Sequence, residues 1–220
     1  MRLKDICGKI PSKLFEVLSS RKIDVLRPCQ EKAIEAGLFN CKSMVVCSPT
    51  ASGKTLVAEL ACIKNVLEGK GKAVYIVPLK ALATEKYKEF KKDFPFLRCG
   101  LAIGDMDSKD NYLGKNDLIV VTAEKLDSLI RHKAEWIKEI FTIVVDETHL
   151  INDSSRGPTV EILITMLRNL LASYQLIALS ATIGNPDVLA EWLDAELVED
   201  NWRPVKLYSG TYLDGRLEFY

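Results

Sequence analysis

Short apolar runs rich in β-branched residues alternate along the chain with longer stretches of helical periodicity, and this alternation limits the possible folds most strongly. The predicted buried strands are 44–47, 73–77, 99–103, 118–121, 141–146, 176–180 and 205–208. The predicted helices are 28–36, 53–67, 81–92, 123–131, 158–172 and 186–193. Strands and helices that alternate in this way form βαβ units. We therefore expect an α/β fold with a doubly wound, mostly parallel sheet and helices on both faces.

The composition is ordinary for a soluble globular chain and excludes disordered and fibrous proteins. Of the 220 residues, 48% are hydrophobic and 27% are charged. No apolar run approaches about 20 residues, the length that a membrane-spanning helix needs. The first five residues include two basic side chains and an acid, unlike a signal sequence. We therefore expect a monomeric, cytoplasmic protein with no membrane partner.

The charge balance and the cysteines exclude further classes. The 30 Lys and Arg residues balance the 30 Asp and Glu residues, so a bound polyanion must be held by local donors rather than attracted by a long-range basic field. The six cysteines include no C-x-x-C pair and have no nearby histidines to complete a zinc site, so we expect them to be reduced. With only His132 and His149, the chain has too few histidines for a histidine-based metal site.

The chain is predicted to contain one main domain. Residues 1–27 form an amphipathic N-terminal segment that we expect to pack on this domain, and residues 28–210 form the domain itself. Residues 211–220 are predicted to be an exit segment. The sequence has no internal repeat, no low-complexity tract and no interdomain linker.

A loop between a predicted strand and a predicted helix carries the strongest functional signal. A phosphate chain there would meet backbone N–H groups, the positive end of the helix dipole and the ammonium of Lys54. The general pattern is G-x-x-x-x-G-K-[ST], and in this chain Ser48 replaces the first glycine. Lys54 is predicted to contact the β- and γ-phosphates of ATP, and Thr55 to offer a hydroxyl to Mg²⁺. The loop reads Ser48-Pro49-Thr50-Ala51-Ser52-Gly53-Lys54-Thr55.

Two adjacent carboxylates, Asp146 and Glu147, end a later apolar strand. Ligands of parallel α/β sheets bind at the carboxyl ends of the strands, so Asp146 is predicted to hold the magnesium ion through water. Glu147 is predicted to orient and polarise the attacking water. Acids at this position are also common as helix N-caps, and the preceding phosphate loop is what favours the catalytic interpretation.

A third polar turn follows a predicted strand at Ser180-Ala181-Thr182. Ser and Thr after a strand usually cap the next turn, so this motif has little weight alone. It supports a functional interpretation only because it follows the phosphate loop and the acid pair in the chain.

In this order the motifs resemble those of the first motor domain of a superfamily 2 helicase, a RecA-like domain of the P-loop NTPase class. The segment 146–149 is similar to the DExH box of that family, and the resemblance covers about residues 26–207. The phosphate loop, this box and Arg156-Gly157-Pro158 with Glu161 look most like the Ski-like helicases. Within that group, the chain is most similar to archaeal DNA repair helicases related to HelQ. Ser48 departs from the general phosphate-loop pattern but agrees with the loop of this subgroup.

The resemblance implies further residues of the nucleotide site. The segment 27–30 is similar to the family's adenine-recognising element, in which Gln30 contacts the base edge and Arg27 is a second nucleotide-binding residue. Ser180, Ala181 and Thr182 match the motif that couples hydrolysis to nucleic-acid binding. His149 is implied to be a catalytic residue beside that motif.

The resemblance also implies a set of nucleic-acid contacts. The residues lie in two strand-tracking motifs, in a strand-contacting turn and near the DExH box. Among the lysines that follow the first tracking motif, Lys80 alone is expected to face the strand ends, because the others fit a solvated helix face. The set is Pro78, Leu79, Lys80, Gly104, Asp105, Thr122, Lys125 and Arg156.

The resemblance implies an ATP-dependent DNA helicase with nucleic-acid-stimulated ATPase activity, and ATP and Mg²⁺ as its cofactors. Its partners would be single-stranded or branched DNA, unwound in repair or replication restart, and a second RecA-like domain of the same polypeptide. That second domain supplies an arginine finger worth about 10³–10⁵ in turnover. No segment after residue 207 has the length to supply it. We therefore expect 211–220 to lead toward that domain, and this chain alone to hydrolyse ATP very slowly.

Three alternatives stay open at this point. The same fold could hold RNA, since the Ski-like group includes RNA helicases and contacts to a 2′-OH cannot be assigned from sequence. The chain could be a non-catalytic module that uses ATP as a switch, although Lys54, Asp146 and Glu147 are all present. A small-molecule kinase would need an acceptor pocket and a lid, and no arginine-rich lid segment is visible.

Overall fold

The computed structural model describes residues 1–104 and 110–219 and has an α/β fold. The strands are β1 (Met44–Cys47), β2 (Lys72–Val77), β3 (Cys99–Ala102), β4 (Leu118–Thr122), β5 (Ile140–Val145), β6 (Gln175–Ser180), β7 (Glu196–Glu199), β8 (Gly210–Leu213) and β9 (Arg216–Phe219). The α-helices are α1 (Ser12–Ser20), α2 (Pro28–Glu35), α3 (Lys54–Leu67), α4 (Lys80–Asp93), α5 (Ala123–Arg131), α6 (Gly157–Leu170) and α7 (Pro186–Leu193). Short 3₁₀ helices are found at Leu3–Lys9, Leu38–Asn40, Asp110–Lys115, Glu135–Glu139 and Thr148–Asn152.

Seven strands form a single sheet in the order β3-β4-β2-β5-β6-β1-β7, and all their pairings are parallel. Strands β1, β4 and β6 are buried along their whole length, and β2 and β5 at all but one residue, as expected when helices cover both faces of a parallel sheet. One core cluster joins the sheet to α3 and α4, and a second joins the opposite face to α5, α6 and α7. The predicted doubly wound parallel sheet is therefore confirmed.

Residues 1–27 contribute side chains to the core on the α3 and α4 face of the sheet. An antiparallel bridge between Arg2 and Val25 closes this segment on itself. Arg21 then ties it to α3, with Nη1 donating to Glu59 Oε2 at 2.6 Å. The buried apolar side chains of the segment are Leu3, Ile6, Ile10, Leu14, Leu18 and Leu26.

A buried polar cluster fixes α3 against the sheet. Asn65 Nδ2 donates to Thr142 Oγ1 of β5 at 2.9 Å and to Gln175 Oε1 of β6 at 2.6 Å. The amide of Gln175 in turn donates to the backbone carbonyls of Leu38 and Lys42. Because buried polar groups are costly unless they are paired, this cluster holds the helix in one position, with Lys54 at its first turn.

The prediction of a strand at 205–208 is wrong. The seventh strand of the sheet is β7, and Val205, Leu207 and Tyr208 are 63–75% exposed, outside any strand. Pro204 precedes the segment and has no N–H for a ladder hydrogen bond. The strand at β7 was missed because glutamates occupy both its ends, which is common at the edge of a sheet.

Beyond the sheet, β8 and β9 form an antiparallel hairpin with exposed residues throughout. In the part of the chain that the structure describes, the helices are all too short or too polar to span a lipid bilayer.

Candidate functional site

The carboxyl ends of the parallel strands place the sequence motifs along one edge of the sheet. The phosphate loop follows β1, the motif of Ser180 ends β6, and Asp146 follows β5. Because β6 lies between β1 and β5 in the sheet, these three motifs are neighbours in space. The predicted strand-tracking motifs follow β2 and β4, in the adjoining half of the sheet.

The phosphate loop has a tightly wound backbone. Ala51 and Gly53 both have positive φ angles, of 65° and 100°. A Cβ at Gly53 would lie 2.5 Å from Gln30 Nε2, so the glycine is required for space as well as for its φ angle. Across the loop, the hydroxyls of Ser48 and Ser52 are 2.7 Å apart and buried. Ser48 therefore fills the place of the usual glycine with a hydrogen bond inside the loop.

Lys54, at the first turn of α3, carries the charge of the loop. Its Nζ donates to the carbonyls of Ser48, at 2.5 Å, and Pro49, at 3.1 Å. Burial lowers the pKa of Lys54, and the nearby carboxylates of Glu147 and Asp146 act in the opposite direction. Lys54 therefore lies within electrostatic reach of both acids that follow β5.

The segment 27–30 holds three successive carbonyls of the phosphate loop. Arg27 Nη1 donates to the Ala51 carbonyl at 2.5 Å, and Gln30 Nε2 donates to the Gly53 carbonyl at 3.0 Å. Between them, the thiol of Cys29 donates to the Ser52 carbonyl at 3.4 Å. Burial raises the pKa of Cys29, which keeps the proton that this bond needs. The segment 27–30 and the phosphate loop therefore form one structural unit.

Asp146 is held by a donor on each carboxylate oxygen. Its Oδ1 accepts the backbone N–H of Glu147, and its Oδ2 accepts the hydroxyl of Tyr75, both at 2.9 Å. Tyr75 is 0% exposed and lies in β2. Burial and the charge of Asp146 raise the pKa of Tyr75 well above its ordinary value, so the phenol stays a donor. Sequence reasoning missed Tyr75, whose only signal was a polar group inside an otherwise apolar strand.

His149 lies between the acid motif and the motif of Ser180. Its Nδ1 is 3.3 Å from Glu147 Oε2 and also 3.4 Å from the backbone nitrogen of Ala181, which donates to it. A ring nitrogen either accepts or donates a proton, so His149 satisfies one of these partners at a time. Ser180 Oγ donates to the Ala181 carbonyl at 2.9 Å, whereas Thr182 is exposed.

The donor set suits magnesium rather than a metal held by protein alone. Among the described residues, no three His, Cys, Asp or Glu side chains cluster as ligands. Mg²⁺ usually takes one or two carboxylates and completes its shell with waters and substrate phosphates. Thr55, on the first turn of α3, and Asp146 offer such a set.

Seven of the eight residues expected to contact nucleic acid line one surface cleft of about 450 Å³. Leu79 is 42% exposed, whereas Thr122 and Lys125 are each 3% exposed and form the floor of the cleft. The eighth residue, Asp105, lies outside the residues that the structure describes. The seven are Pro78, Leu79, Lys80, Gly104, Thr122, Lys125 and Arg156.

Comparison with protein families gives a match over most of these motifs. A family model described as DEAD/DEAH box helicase matches residues 27–189, well over half of the chain. The chain belongs to the DEAD/DEAH box helicase family. Its motifs and its sheet identify it as a first RecA-like domain of this family, as the sequence predicted.

Curated relatives of this helicase domain include archaeal proteins named ATP-dependent DNA helicase Hel308. The chain is 50% identical over 207 residues to the one from Pyrococcus abyssi, covering 94% of this chain and 28% of that protein. It is 53% identical over 215 residues to the one from Methanocaldococcus jannaschii, covering 94% of this chain and 18% of that protein. The chain thus spans less than a third of the length of each relative.

Solved helicase structures share the fold. The helicase Lhr of Mycobacterium smegmatis, bound to single-stranded DNA and AMP-PNP, matches with a TM-score of 0.78 at 24% identity, over 92% of this chain and 29% of that one. The DUF1998 helicase MrfA, bound to DNA, matches with a TM-score of 0.74 at 25% identity, over 88% of this chain and 30% of that one.

Proposed function

We propose that this chain is the ATP-binding first motor domain of an ATP-dependent DNA helicase, which moves along single-stranded DNA and unwinds duplex or branched DNA in repair or replication restart. The observation that carries the proposal is that Lys54 follows β1 while Asp146 and Glu147 follow β5, at the same end of the sheet with β6 between the two strands, beside the cleft lined by Lys80 and Arg156. Relatives about half identical to this chain are named as ATP-dependent DNA helicases, which favours DNA over RNA.

Each residue of the proposed nucleotide site has its own role in the binding and hydrolysis of ATP. Lys54 binds the β- and γ-phosphates with its ammonium, and the N–H groups of the loop bind the remaining phosphate oxygens. Gln30 recognises the edge of adenine. Glu147 orients the attacking water and takes up its proton on a carboxylate oxygen.

Thr55 and Asp146 are the residues that would hold Mg²⁺. The ion, when bound, neutralises charge that develops on the transferred phosphoryl group. Tyr75 keeps Asp146 oriented through the hydrogen bond to Oδ2. His149, within reach of both Glu147 and Ala181, connects the hydrolytic acid to the motif at the end of β6.

The cleft residues grip a nucleic-acid strand by its backbone. Lys80 and Arg156 supply cationic groups there, and the N-termini of α4 and α5 point toward the same cleft with their positive dipole ends. Contacts to phosphates do not read sequence, and their strength falls as salt rises. We therefore propose a sequence-independent, salt-sensitive interaction with a single strand, and a second motor domain as the source of the arginine finger.

The proposal predicts that Lys54→Ala removes the binding of MgATP to this chain. The ammonium of Lys54 supplies the side-chain charge for the phosphates, and alanine leaves the loop carbonyls of Ser48 and Pro49 without their donor. Isothermal titration calorimetry with MgATP measures the loss. Lys138→Ala is the matched control, because Lys138 is exposed before the amino end of β5, at the opposite edge of the sheet.

Steady-state ATP hydrolysis by this chain, with and without DNA or RNA oligomers of equal length, tests the rest of the proposal. We expect slow turnover and a larger response to DNA. Unchanged MgATP binding in Lys54→Ala would refute the phosphate-loop assignment. A response to RNA alone would refute the choice of nucleic acid.

A further inference from the structure

The segment that follows β7 packs against the nucleotide site. The backbone N–H of Asp200 donates to the carbonyl of Cys47, the last residue of β1, at 3.0 Å. The Asp200 side chain is 6% exposed and its Oδ2 lies 2.9 Å from Lys32 Nζ of α2. Its Oδ1 accepts the backbone N–H of Trp202 at 2.6 Å. A buried carboxylate with these partners fixes where the chain leaves β7, and with it the position of Trp202.

The indole of Trp202 stacks on Arg27. The guanidinium carbon of Arg27 lies 5.7 Å from the centroid of the Trp202 ring, within the range of a cation–π contact. The same guanidinium donates to the carbonyl of Ala51 in the phosphate loop. Arg27 is therefore held between an aromatic ring from the end of the sheet and a backbone carbonyl of the nucleotide loop.

The carbonyl that Arg27 holds belongs to a strained residue. Ala51 has a φ angle of 65°, which a residue with a Cβ adopts at a cost. Ala51 is exposed, so packing gives it little support. An exposed arginine has many rotamers, and ordering it costs conformational entropy. A ring that stacks on the guanidinium reduces that cost and keeps the donor at the carbonyl.

We propose that Trp202 is a positioning residue for nucleotide binding, which acts through Arg27 to keep the phosphate loop in its binding conformation. The proposal rests on the proposed function, because it assigns Trp202 to the same nucleotide site. Trp202 acts on the phosphate side of the site and leaves recognition of the base to Gln30.

The test is the binding of two probes, MgADP and magnesium pyrophosphate, to the chain and its variants by calorimetry. Trp202→Ala is expected to weaken both probes about two- to fivefold, the size of an exposed cation–π contact. Trp202→Phe retains a ring face and is expected to recover most of the affinity. Tyr208→Ala is the matched control, because Tyr208 is an exposed aromatic of the same segment that stacks with Lys206 rather than with Arg27.

A double-mutant cycle separates positioning from a structural role. If Trp202 acts through Arg27, Trp202→Ala has no further effect on binding in an Arg27→Ala background. Equal effects of Trp202→Ala in both backgrounds would overturn the proposal. So would a loss of MgADP affinity with pyrophosphate binding unchanged, because the ring would then act on the base.

Lys54→Ala distinguishes failure of the inference from failure of the proposed function. Loss of both probes in Lys54→Ala, with unchanged binding in Trp202→Ala, refutes the role of Trp202 alone. Unchanged binding in Lys54→Ala refutes the nucleotide site itself.

Discussion

The hydroxyl of Tyr75 and the carboxylate of Asp146 show how a single side chain from a neighbouring strand supports the acid site. Tyr75 packs edge-on against Phe90, with ring centroids 5.4 Å apart, and its hydroxyl reaches Asp146 Oδ2. The ring is thus fixed by packing, and the hydroxyl is fixed with it. A carboxylate with a donor on each oxygen has little freedom to rotate.

We predict that Tyr75→Phe weakens magnesium-dependent nucleotide binding. The variant keeps the ring and its packing on Phe90 but removes the donor to Asp146. A hydrogen bond to a charged group is worth about 1.5–3 kcal/mol, so we expect the affinity for MgADP to weaken roughly ten- to hundredfold. Calorimetry with ADP, in the presence of Mg²⁺ or of a chelator, measures the effect.

The binding of ADP without magnesium should stay unchanged in Tyr75→Phe. Tyr87→Phe is the control, since Tyr87 lies on α4 and its ring contacts Lys91. An equal loss of ADP affinity with and without magnesium would show that Tyr75 acts on the phosphate loop rather than through Asp146.

Most residues of the proposed nucleotide site can be named from the sequence, because Lys54, Thr55 and Asp146 belong to short motifs whose spacing is local. Tyr75 could not be predicted in this way. Its contact with Asp146 depends on the register of β2 against β5, in which Tyr75 pairs with Val144, two residues before the acid. Register between strands is a property of the assembled sheet.

At the level of elements, the start of α6 makes a tight backbone contact near the site. Gly157 begins α6 directly after Arg156 and is followed by Pro158, which suits the first turn of a helix. A Cβ at Gly157 would lie 1.9 Å from the carbonyl oxygen of Ile151. The 3₁₀ helix Thr148–Asn152, which carries His149, therefore packs directly on the backbone of α6.

We predict that Gly157→Ala destabilises the chain by about 1–3 kcal/mol, the usual cost of overpacking a tight contact. Urea unfolding followed by circular dichroism measures the change. Gly184→Ala is the control, because a Cβ at Gly184 meets no atom within 4 Å and its φ angle is not positive. If both variants unfold at the same urea concentration, the close contact with Ile151 does not affect the free energy of unfolding.

The elements predicted best from sequence are the central strands. Their runs are almost entirely apolar because both faces of the sheet are covered. The edge strand β7 has an exposed glutamate at each end, so its sequence lacks that pattern. Segment 205–208 has an apolar alternation but no neighbouring strand to pair with, and the pattern alone led to a wrong prediction.

At the level of the whole molecule, the two terminal segments differ in how they relate to the core. Residues 1–20 place five buried apolar side chains in the cluster beneath α3 and α4. The hairpin of β8 and β9 pairs only with itself, and Tyr212, Leu213 and Leu217 are 55–71% exposed. An isolated hairpin is marginally stable in water, so these apolar residues suit a further layer of protein.

We predict that deletion of residues 1–20 abolishes cooperative folding. Burial of each large apolar side chain contributes about 1.5–3 kcal/mol, and five such losses match the whole stability of a typical domain, about 5–15 kcal/mol. Thermal unfolding of the truncated chain measures this. Deletion of residues 209–220 is the control and should leave the melting temperature unchanged. A sharp transition in the chain without residues 1–20 would show that the core is complete without them.

The strand order also sets distances that no loop can alter. Neighbouring strands in a sheet are spaced by about 4.8 Å, so the four steps from β1 to β4 separate the phosphate loop from the second tracking motif by about 19 Å. The sheet thus fixes the distance between the proposed ATP site and the proposed nucleic-acid cleft. A change in the length of a surface loop leaves this distance unchanged. Gain or loss of an inner strand changes it by one strand spacing, about 4.8 Å.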